Sequence, residues 1–385
     1  MFDISERMKK IPPYLFVEID KKKKQLIKDG YDLIDFGIGD PDIPTPPNIV
    51  NAMREYVKRQ EFHRYPLGRG NINFRKAIAS FYQENYDIQL DPEEEICVLI
   101  GSKEGIAHFP LCFINPGDYS LIPEPGYPVY KIGTILAEGN CYFLPLEEKN
   151  NFLPDFSKIP ANILKKAKIL YLNYPNNPTS AFAPEEFLKE AINFCKKNNL
   201  VLSYDAAYSE IYYDKKPVSF LSLPGAKEVG IEFNSLSKPF NMTGWRIGWA
   251  CGNKELISAL SKVKENIDSG VFEAIQFAGI EALTNSKETP LKMRDIYKKR
   301  MNLFVNGLRE VGFDVKFPKG TFYLWLKVNK SSIEFVDELL ENGKIIATPG
   351  IGFGPSGENF VRFSLTIHES KIEEAIKRIK KIWEK

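Results

Sequence analysis

From about residue 47 to residue 270, short apolar runs rich in β-branched or aromatic residues alternate with longer stretches of helical period. This alternation is typical of crossover units, in which helices connect the strands of a mostly parallel sheet. The stretches 185–197 and 254–267 show the helical period most clearly. We predict seven strands, at 96–100, 119–123, 141–144, 169–173, 200–204, 231–235 and 246–251.

Beyond about residue 290 the pattern changes to α+β. After a long helix, the predicted elements are two antiparallel strands at 313–317 and 321–327, a helix at 332–341, an apolar stretch at 360–365 and a helix at 369–383. A chain of 385 residues exceeds the size at which one hydrophobic core stops growing. We therefore predict a large α/β domain at 47–285, a small α+β domain at 286–385, and an N-terminal segment, 1–46, that packs on the small domain.

Charge balance, hydropathy and cysteine spacing each argue against a kind of partner or location. Lysine and arginine total 52 against 50 for aspartate and glutamate, so no excess of positive charge favours nucleic acid or an anionic membrane surface. No apolar stretch approaches the roughly 18 residues that span a bilayer, and the N-terminus lacks a signal-peptide pattern. The five cysteines are scattered singly, without the spacing of metal ligands. We expect a cytoplasmic protein without a metal, a membrane or a nucleic-acid partner.

The segment 235–246, SLSKPFNMTGWR, follows a predicted strand and holds the strongest chemical pattern in the chain. Open α/β sheets bind ligands at the carboxyl ends of their strands. Lys238 can condense with an aldehyde as a Schiff base, while Ser235, Ser237 and Arg246 can hold a phosphate by charge-assisted hydrogen bonds. A lone lysine is more simply a solvated loop residue. A lysine between hydroxyls and an arginine after an apolar strand favours the functional interpretation.

A second predicted strand ends in SYDAAY, which places Asp205 where apolar residues give way to small ones. A buried carboxylate raises the pKa of a neighbouring pyridine nitrogen and so keeps a pyridine cofactor protonated. Asp205 is therefore a candidate partner for such a nitrogen. Taken alone, the cap of the following helix is the simpler interpretation.

Two further strand ends carry weaker signals. The stretch NYPNNPTS at 173–180 is a dense turn signal, compatible with a cis Asn–Pro bond, in which Asn177 could hydrogen-bond a ring hydroxyl. A plain turn would use the same residues. The stretch IGSKEG at 100–105 lies between a strand and a helical pattern, where backbone N–H groups suit a phosphate. Short glycine-rich turns are common, so this motif alone decides nothing.

The ordered set NYPNNPTS, DAAY, SLSKPFNMTGWRIGW and a late arginine, Arg362, resembles the fold type I pyridoxal-phosphate aminotransferases of class I and II. The resemblance covers almost the whole chain. It implies a large domain with a mostly parallel seven-stranded sheet flanked by helices, joined to a smaller α+β domain. It also implies pyridoxal 5′-phosphate as the cofactor, amino-acid and 2-oxo-acid substrates, and a homodimer with shared active sites.

The same resemblance implies a role for each residue around the cofactor ring. Lys238 would be the Schiff-base lysine and proton carrier, and Asp205 would pair with the pyridinium nitrogen. Asn177 and Tyr208 would bond the ring hydroxyl, and Tyr127 would stack on the ring face.

The remaining roles concern the phosphate and the substrate. The residues of the implied phosphate cradle are Ser102, Lys103, Ser235, Ser237 and Arg246. Tyr65, in RYPLGRG, would reach that phosphate from a second subunit. Gly39 would make a backbone contact to substrate. Arg362 would grip the substrate α-carboxylate, for which its planar fork suits better than a lysine.

Within the family, stretches such as IPPYLFVEID, IGSKEGIAH and VGIEFNSLSK are most similar to the LL-diaminopimelate aminotransferases. Those enzymes convert LL-diaminopimelate and 2-oxoglutarate to glutamate and a keto acid that cyclises to tetrahydrodipicolinate. The resemblance implies this activity in lysine biosynthesis, and it adds Tyr14, Lys103 and Asn177 as substrate contacts.

Two positions depart from the pattern of this subgroup. Arg69, in LGRG, stands where the subgroup carries an acidic residue that could bind the distal ammonium of diaminopimelate. An arginine would repel that ammonium and would suit a distal carboxylate, as in glutamate, aspartate or an N-succinylated amine. Aspartate, alanine and N-succinyl-diaminopimelate aminotransferase activities stay open as alternatives. Ser180 stands where glycine commonly follows NNPT, and we interpret it as structural. A pyridoxal-phosphate β-lyase is a further alternative.

Overall fold

The computed structural model describes residues 2–12 and 23–383. Its strands are β1 Ile34–Asp35, β2 Ile96–Leu99, β3 Tyr119–Glu124, β4 Asn140–Pro145, β5 Ala167–Asn173, β6 Val201–Asp205, β7 Gly230–Ser235, β8 Gly248–Gly252, β9 Tyr323–Lys327, β10 Ile345–Ile346, β11 Thr348–Pro349 and β12 Phe360–Ser364. Its helices are α1 Glu6–Lys9, α2 23–28, α3 Pro47–Tyr56, α4 Ile72–Tyr86, α5 Ser102–His108, α6 Val129–Leu136, α7 Ala161–Leu164, α8 Glu185–Asn198, α9 Ala226–Val229, α10 Lys254–Ile267, α11 Glu273–Asn285, α12 Glu288–Glu310, α13 Ser332–Gly343 and α14 Glu369–Trp383.

A seven-stranded sheet forms the centre of the molecule, in the order β2-β8-β7-β6-β5-β3-β4. Neighbouring strands are parallel from β7 to β4, whereas β8 is antiparallel to both β7 and β2. The seven strands correspond to the seven predicted ones, with ends that differ by a few residues. The mostly parallel sheet confirms the predicted fold class.

Helix α8 shows why the long helices form where their periodicity predicts them. It begins after Pro184, with acidic residues from Glu185 onward in its first turn and Lys196 in its last, which complements the helix dipole. It ends at Asn199, which adopts the left-handed conformation common after helix C-termini. Its apolar side chains pack in the core on one face of the large sheet. The predicted helices at 185–197, 254–267 and 369–383 are confirmed.

The small sheet has the order β11-β12-β9 and is antiparallel. Strand β9 agrees with the prediction at 321–327. The prediction of a strand at 313–317 was wrong, because these residues, all described, form no strand. Phe313 packs against aromatic rings of α13 and α14 instead, and the Arg309 guanidinium donates two hydrogen bonds to the carbonyl of Val315. Strand β9 pairs with β12.

The hydrophobic residues form separate cores. Val98 and Cys97, neighbours on β2, belong to different clusters, so the two faces of the large sheet each bury one core. A third core lies under the small sheet and includes Ile34 and Phe36 from the N-terminal segment. Strand β1 also pairs in parallel with β10. These contacts support the division into 1–46, 47–285 and 286–385, which we retain as a proposal.

The structure also bears on membranes. Within residues 2–12 and 23–383, no helix is both long enough and apolar enough to cross a bilayer.

Candidate active site

A cavity of about 380 Å³ opens at the carboxyl ends of β5, β6 and β7, a volume within the usual range for small-molecule sites. The sequence-predicted residues that line it are Gly39, Ser102, Lys103, Tyr127, Asn177, Asp205, Tyr208, Ser235, Ser237, Lys238, Arg246 and Arg362. They come from five strands or strand ends of the large sheet, from β12 of the small sheet and from the N-terminal segment. The fold therefore assembles in one place what the sequence distributes over more than 320 positions, about 1,000 Å of extended chain.

Lys238 follows β7 at the floor of the cavity, and its Nζ donates a hydrogen bond of 2.9 Å to the carbonyl of Gly39. Burial lowers the pKa of Lys238 to about 8, while the Asp40 carboxylate opposes this shift and the Arg246 and Arg362 guanidiniums add to it. An amine with such a pKa is partly neutral near physiological pH. Lys238 can therefore act as a nucleophile or as a base.

Asp205 ends β6, and only 4% of its surface is exposed. Its Oδ2 accepts a hydrogen bond of 2.8 Å from the Tyr130 hydroxyl, and its Oδ1 accepts one of 3.2 Å from the Ala207 amide. Burial raises the pKa of Asp205 to about 6, and these two hydrogen bonds oppose the rise. Sequence reasoning missed Tyr130. It lies on α6, three residues after Tyr127, and no motif marks it.

The turn after β5 is tied to both sides of the cavity. Asn173 pairs with Asp205 across β5 and β6, and its Nδ2 donates to the Asp205 carbonyl at 2.8 Å. Its Oδ1 accepts from the amide of Asn177 at 2.8 Å. Asn177 in turn accepts a hydrogen bond of 2.8 Å from Nη1 of Arg362 through its Oδ1. The Asn177–Pro178 bond is cis, as the turn signal allowed.

Arg362 is a buried cation on β12, with 1% of its surface exposed. Its Nη2 donates to the carbonyl of Gly37 at 2.8 Å. The guanidinium carbon lies 4.3 Å from the ring centroid of Tyr323 and 4.7 Å from that of Phe353. Two aromatic faces and fixed hydrogen bonds hold the planar group in one orientation. Its donors suit a carboxylate in the cavity.

Hydroxyls and cations share the end of the cavity formed by the 101–102 turn and the loop after β7. Ser235 Oγ accepts from the amide of Ser237 at 3.1 Å, and Arg246 Nη1 donates to the Thr243 carbonyl at 2.9 Å. Gly101 has a φ of +72°, and a Cβ there would lie 2.3 Å from Nη2 of Arg246. Glycine at this position therefore leaves room for the guanidinium. The group offers several donors to an anion.

Two tyrosines complete the wall of the cavity. The hydroxyls of Tyr208 and Tyr323 share a hydrogen bond of 2.9 Å, and a Cβ on Gly39 would lie 2.1 Å from the Tyr323 oxygen. The sequence does not single out Tyr323, because it is one of several aromatic residues in the predicted strand 321–327. The ring of Tyr127 lies 5.9 Å from Nζ of Lys103.

Two predicted site residues that the structure describes, Tyr65 and Arg69, do not line this cavity. Tyr65 is 94% exposed. Arg69 donates through Nη1 to the carbonyl of Glu93 at 2.7 Å. Tyr14 lies outside the described residues. Ser180, the second departure from the subgroup, has a φ of 59°, and its hydroxyl bonds the Tyr323 carbonyl at 2.7 Å, which fits a structural role.

The cavity suits an aromatic aldehyde with an anionic tail. Lys238 offers an amine of lowered pKa, and Asp205 offers a buried carboxylate that is stabilised by a positively charged ring nitrogen. The hydroxyls beside Arg246 suit a phosphate, and Arg362 suits the carboxylate of an amino acid. A site of this kind on this fold defines the pyridoxal-phosphate-dependent transaminases.

Comparison with known proteins gives the family. The chain belongs to the aminotransferases of class I and II, whose sequence profile matches residues 31–379, and this family implies pyridoxal phosphate as cofactor. It is 54% identical to an LL-diaminopimelate aminotransferase of Halothermothrix orenii, over 98% of this chain and 97% of that protein. It is 51% identical to an LL-diaminopimelate aminotransferase of Aquifex aeolicus, over 99% of this chain and 100% of that protein.

A solved structure is also closely similar. The substrate-bound BacF structure from Bacillus subtilis has a TM-score of 0.96 and 38% identity, and the match covers 99% of this chain and 98% of that chain. These findings confirm the family, the fold and the transaminase class predicted from the sequence.

Proposed function

We propose that the protein transfers an amino group from LL-diaminopimelate to 2-oxoglutarate, with pyridoxal 5′-phosphate bound in the cavity described above. The observation that carries the proposal is the buried Arg362 in the same cavity as Lys238, because an amino-acid substrate must place its α-carboxylate and its α-carbon together. The curated relatives named above support the choice of diaminopimelate and 2-oxoglutarate.

Pyridoxal phosphate, when bound, supplies an electron sink that stabilises negative charge at the substrate α-carbon. Asp205 would pair with the ring nitrogen and favour its protonated form. Tyr208 and the amide nitrogen of Asn177 would bond the ring hydroxyl, and Tyr127 would cover the ring face. The phosphate would be held by Ser102, Lys103, Ser235, Ser237 and Arg246.

Arg362 binds the substrate, and Lys238 carries its proton. Arg362 fixes the α-carboxylate with its planar fork, and the Gly39 backbone contacts the substrate beside it. The Lys238 amine would act as the proton carrier, accepting the proton from the substrate α-carbon and donating it again, while the bound cofactor would supply the electron sink. A 2-oxo acid then takes the amino group by the same steps in reverse, so the kinetics are ping-pong. Tyr14 and Lys103 would contact the substrate as well.

The assembly is a homodimer in which each subunit completes the site of the other. The side chain of Tyr65 is 94% exposed in the single chain, so it is free to reach a partner subunit. In the dimer, Tyr65 reaches the phosphate of the partner subunit.

Complementation tests the shared site. Tyr65→Ala and Lys238→Ala chains, each defective alone, are mixed, dissociated and reassociated. Mixed dimers contain one site with both native residues, so activity should return to about a quarter of the native value on statistical exchange. The absence of recovery, with exchange verified by mass, would contradict a site shared between subunits.

The donor is identified by single-turnover absorbance of the purified holoenzyme. LL-diaminopimelate, meso-diaminopimelate, N-succinyl-diaminopimelate, glutamate, aspartate and alanine are mixed with it separately. We expect the visible cofactor band to bleach rapidly with LL-diaminopimelate and glutamate alone. Bleaching by aspartate or by the succinylated amine in their place would refute diaminopimelate as the donor and make Arg69 the determinant of specificity. Pyruvate formed without a 2-oxo-acid acceptor would indicate a lyase.

A further inference from the structure

Residues 36–42, here called the strap, run from the small-domain core across the mouth of the cavity. The first four carbonyls of the strap, those of residues 36–39, each accept a hydrogen bond. The donors are, in that order, the Ser364 amide at 2.8 Å, Arg362 Nη2 and Thr348 Oγ1 both at 2.8 Å, Thr366 Oγ1 at 3.1 Å and Lys238 Nζ at 2.9 Å. The small domain thus holds three carbonyls, and Lys238 takes the fourth.

The far end of the strap is held by an ion pair. Arg300 of α12 has a side chain that is only 2% exposed, and it meets Asp42, whose side chain is 27% exposed. The pair is bidentate, with Nη1 to Oδ1 at 2.7 Å and Nη2 to Oδ2 at 2.9 Å. Nη1 also donates to the Leu365 carbonyl at 3.2 Å. A bidentate pair of this kind sets orientation as well as distance.

The position of the Gly39 carbonyl therefore depends on both anchors. The start of the strap is fixed by Phe36, which is fully buried in the small-domain core, and the end by Asp42. On one side of Gly39 the Tyr323 hydroxyl leaves no space even for a Cβ. A shift of about 1 Å away from Lys238 would lengthen the 2.9 Å contact beyond hydrogen-bonding range.

We propose that Arg300 and Asp42 are positioning residues for Lys238, and that they act through the strap by aiming the Gly39 carbonyl at the lysine amine. This inference rests on the proposed role of Lys238. The Gly39 carbonyl holds the amine while Lys238 is not bonded to the cofactor, which is the state in which the lysine must carry a proton. With pyridoxal phosphate bound, the Lys238 amine would be bonded to the cofactor and could not donate to the Gly39 carbonyl. The hydrogen bond from Lys238 to Gly39, here called the clamp, therefore favours the enzyme with pyridoxamine phosphate over the enzyme with pyridoxal phosphate.

A simple packing role for the ion pair predicts something different. An ion pair that only joins the N-terminal segment to α12 would stabilise the protein to the same extent whether or not residue 238 is a lysine. A clamp that acts through Lys238 loses its effect on cofactor binding when that side chain is absent. A double-mutant cycle separates the two.

The experiment measures the ratio of the dissociation constant of pyridoxamine phosphate to that of pyridoxal phosphate for four proteins: the native chain, Asp42→Asn, Lys238→Ala and the double variant. We expect Asp42→Asn to raise this ratio about tenfold in the native background, which corresponds to roughly 1.4 kcal/mol, and less than about twofold in the Lys238→Ala background. An equal change in both backgrounds, or no change in either, would overturn the inference.

Two further variants provide a second test and a matched control. Arg300→Lys keeps the charge but loses the fork, and it should reproduce the effect of Asp42→Asn. Arg309→Met, on the same helix, removes a guanidinium that bonds the Val315 carbonyl and not the strap, and it should leave the ratio unchanged. Failure of the native chain to bind pyridoxamine phosphate at all would refute the proposed function instead, so the two failures are distinguishable.

Discussion

Tyr130→Phe isolates the hydrogen bond on which the acidity of Asp205 depends. The variant removes one oxygen from a fully buried ring and leaves the Asp205 Oδ2 without its 2.8 Å donor. Hydrogen bonds to charged groups contribute about 1.5–3 kcal/mol, and one pKa unit corresponds to about 1.36 kcal/mol. The bond stabilises the charged carboxylate, so its loss should raise the pKa of Asp205 from about 6 to about 7 or 8.

The assay follows the affinity for pyridoxal phosphate from about pH 5.5 to about pH 9, as the ratio of variant to native dissociation constants. The ratio cancels the titration of the cofactor itself. Asp205 binds the ring nitrogen in its ionised form, so the ratio should be largest at the acid end of this range and fall toward one above about pH 8.5. At neutral pH the native carboxylate is mostly ionised, whereas that of the variant is at least half protonated.

Tyr171→Phe is the matched control. The Tyr171 ring stacks on Tyr130 with centroids 5.0 Å apart, and the carboxylate of Asp205 accepts its hydrogen bonds from Tyr130 and Ala207, not from Tyr171. Removing the Tyr171 hydroxyl should leave the pH dependence of pyridoxal-phosphate affinity the same as in the native enzyme. A flat ratio for Tyr130→Phe, or the same ratio in both variants, would refute the argument that Tyr130 tunes Asp205.

Three further predictions concern single side chains. Lys238→Ala should abolish multiple turnover of glutamate with any 2-oxo acid, and sustained turnover in a continuous assay would contradict its role as proton carrier. Arg362→Lys should weaken amino-donor binding in single-turnover titrations by about 10- to 100-fold through loss of the fork, and cofactor binding by less; equal losses for donor and cofactor would contradict a substrate role. Ser180→Gly should change the free energy of unfolding by less than about 1 kcal/mol, because relief of a positive φ of 59° offsets the lost hydroxyl bonds; a loss above about 2 kcal/mol in a denaturant titration would contradict this.

The strand ends were the most predictable part of the site. Apolar runs of strand length, separated by helical periods, fix which residues leave the sheet at its carboxyl edge, and Asp205 and Lys238 follow two such runs directly. Neighbouring parallel strands then bring them together without any further information. The strand at 313–317 was wrongly predicted for a different reason. Alternating apolar residues predict side-chain burial, but they do not say whether the backbone has a strand beside it.

Contacts between distant segments could not be predicted. Tyr130 and Asp205 are 75 residues apart, and Arg300 and Asp42 are 258 apart. A tyrosine on a helix and an arginine on another helix look like ordinary amphipathic residues until the fold places a carboxylate beside them. Tyr65 shows the reverse case, because its motif predicts a role and the single chain leaves it exposed.

The strap makes its contacts through main-chain carbonyls, and this affects how the segment can vary. An exposed side chain such as that of Ile38 can change without altering a single one of those hydrogen bonds. Inserting or deleting one residue would turn every later carbonyl away from its donor. Between the buried ring of Phe36 and the carboxylate of Asp42, the strap is therefore constrained in length throughout, and in composition at Gly39, where a Cβ would meet the Tyr323 hydroxyl.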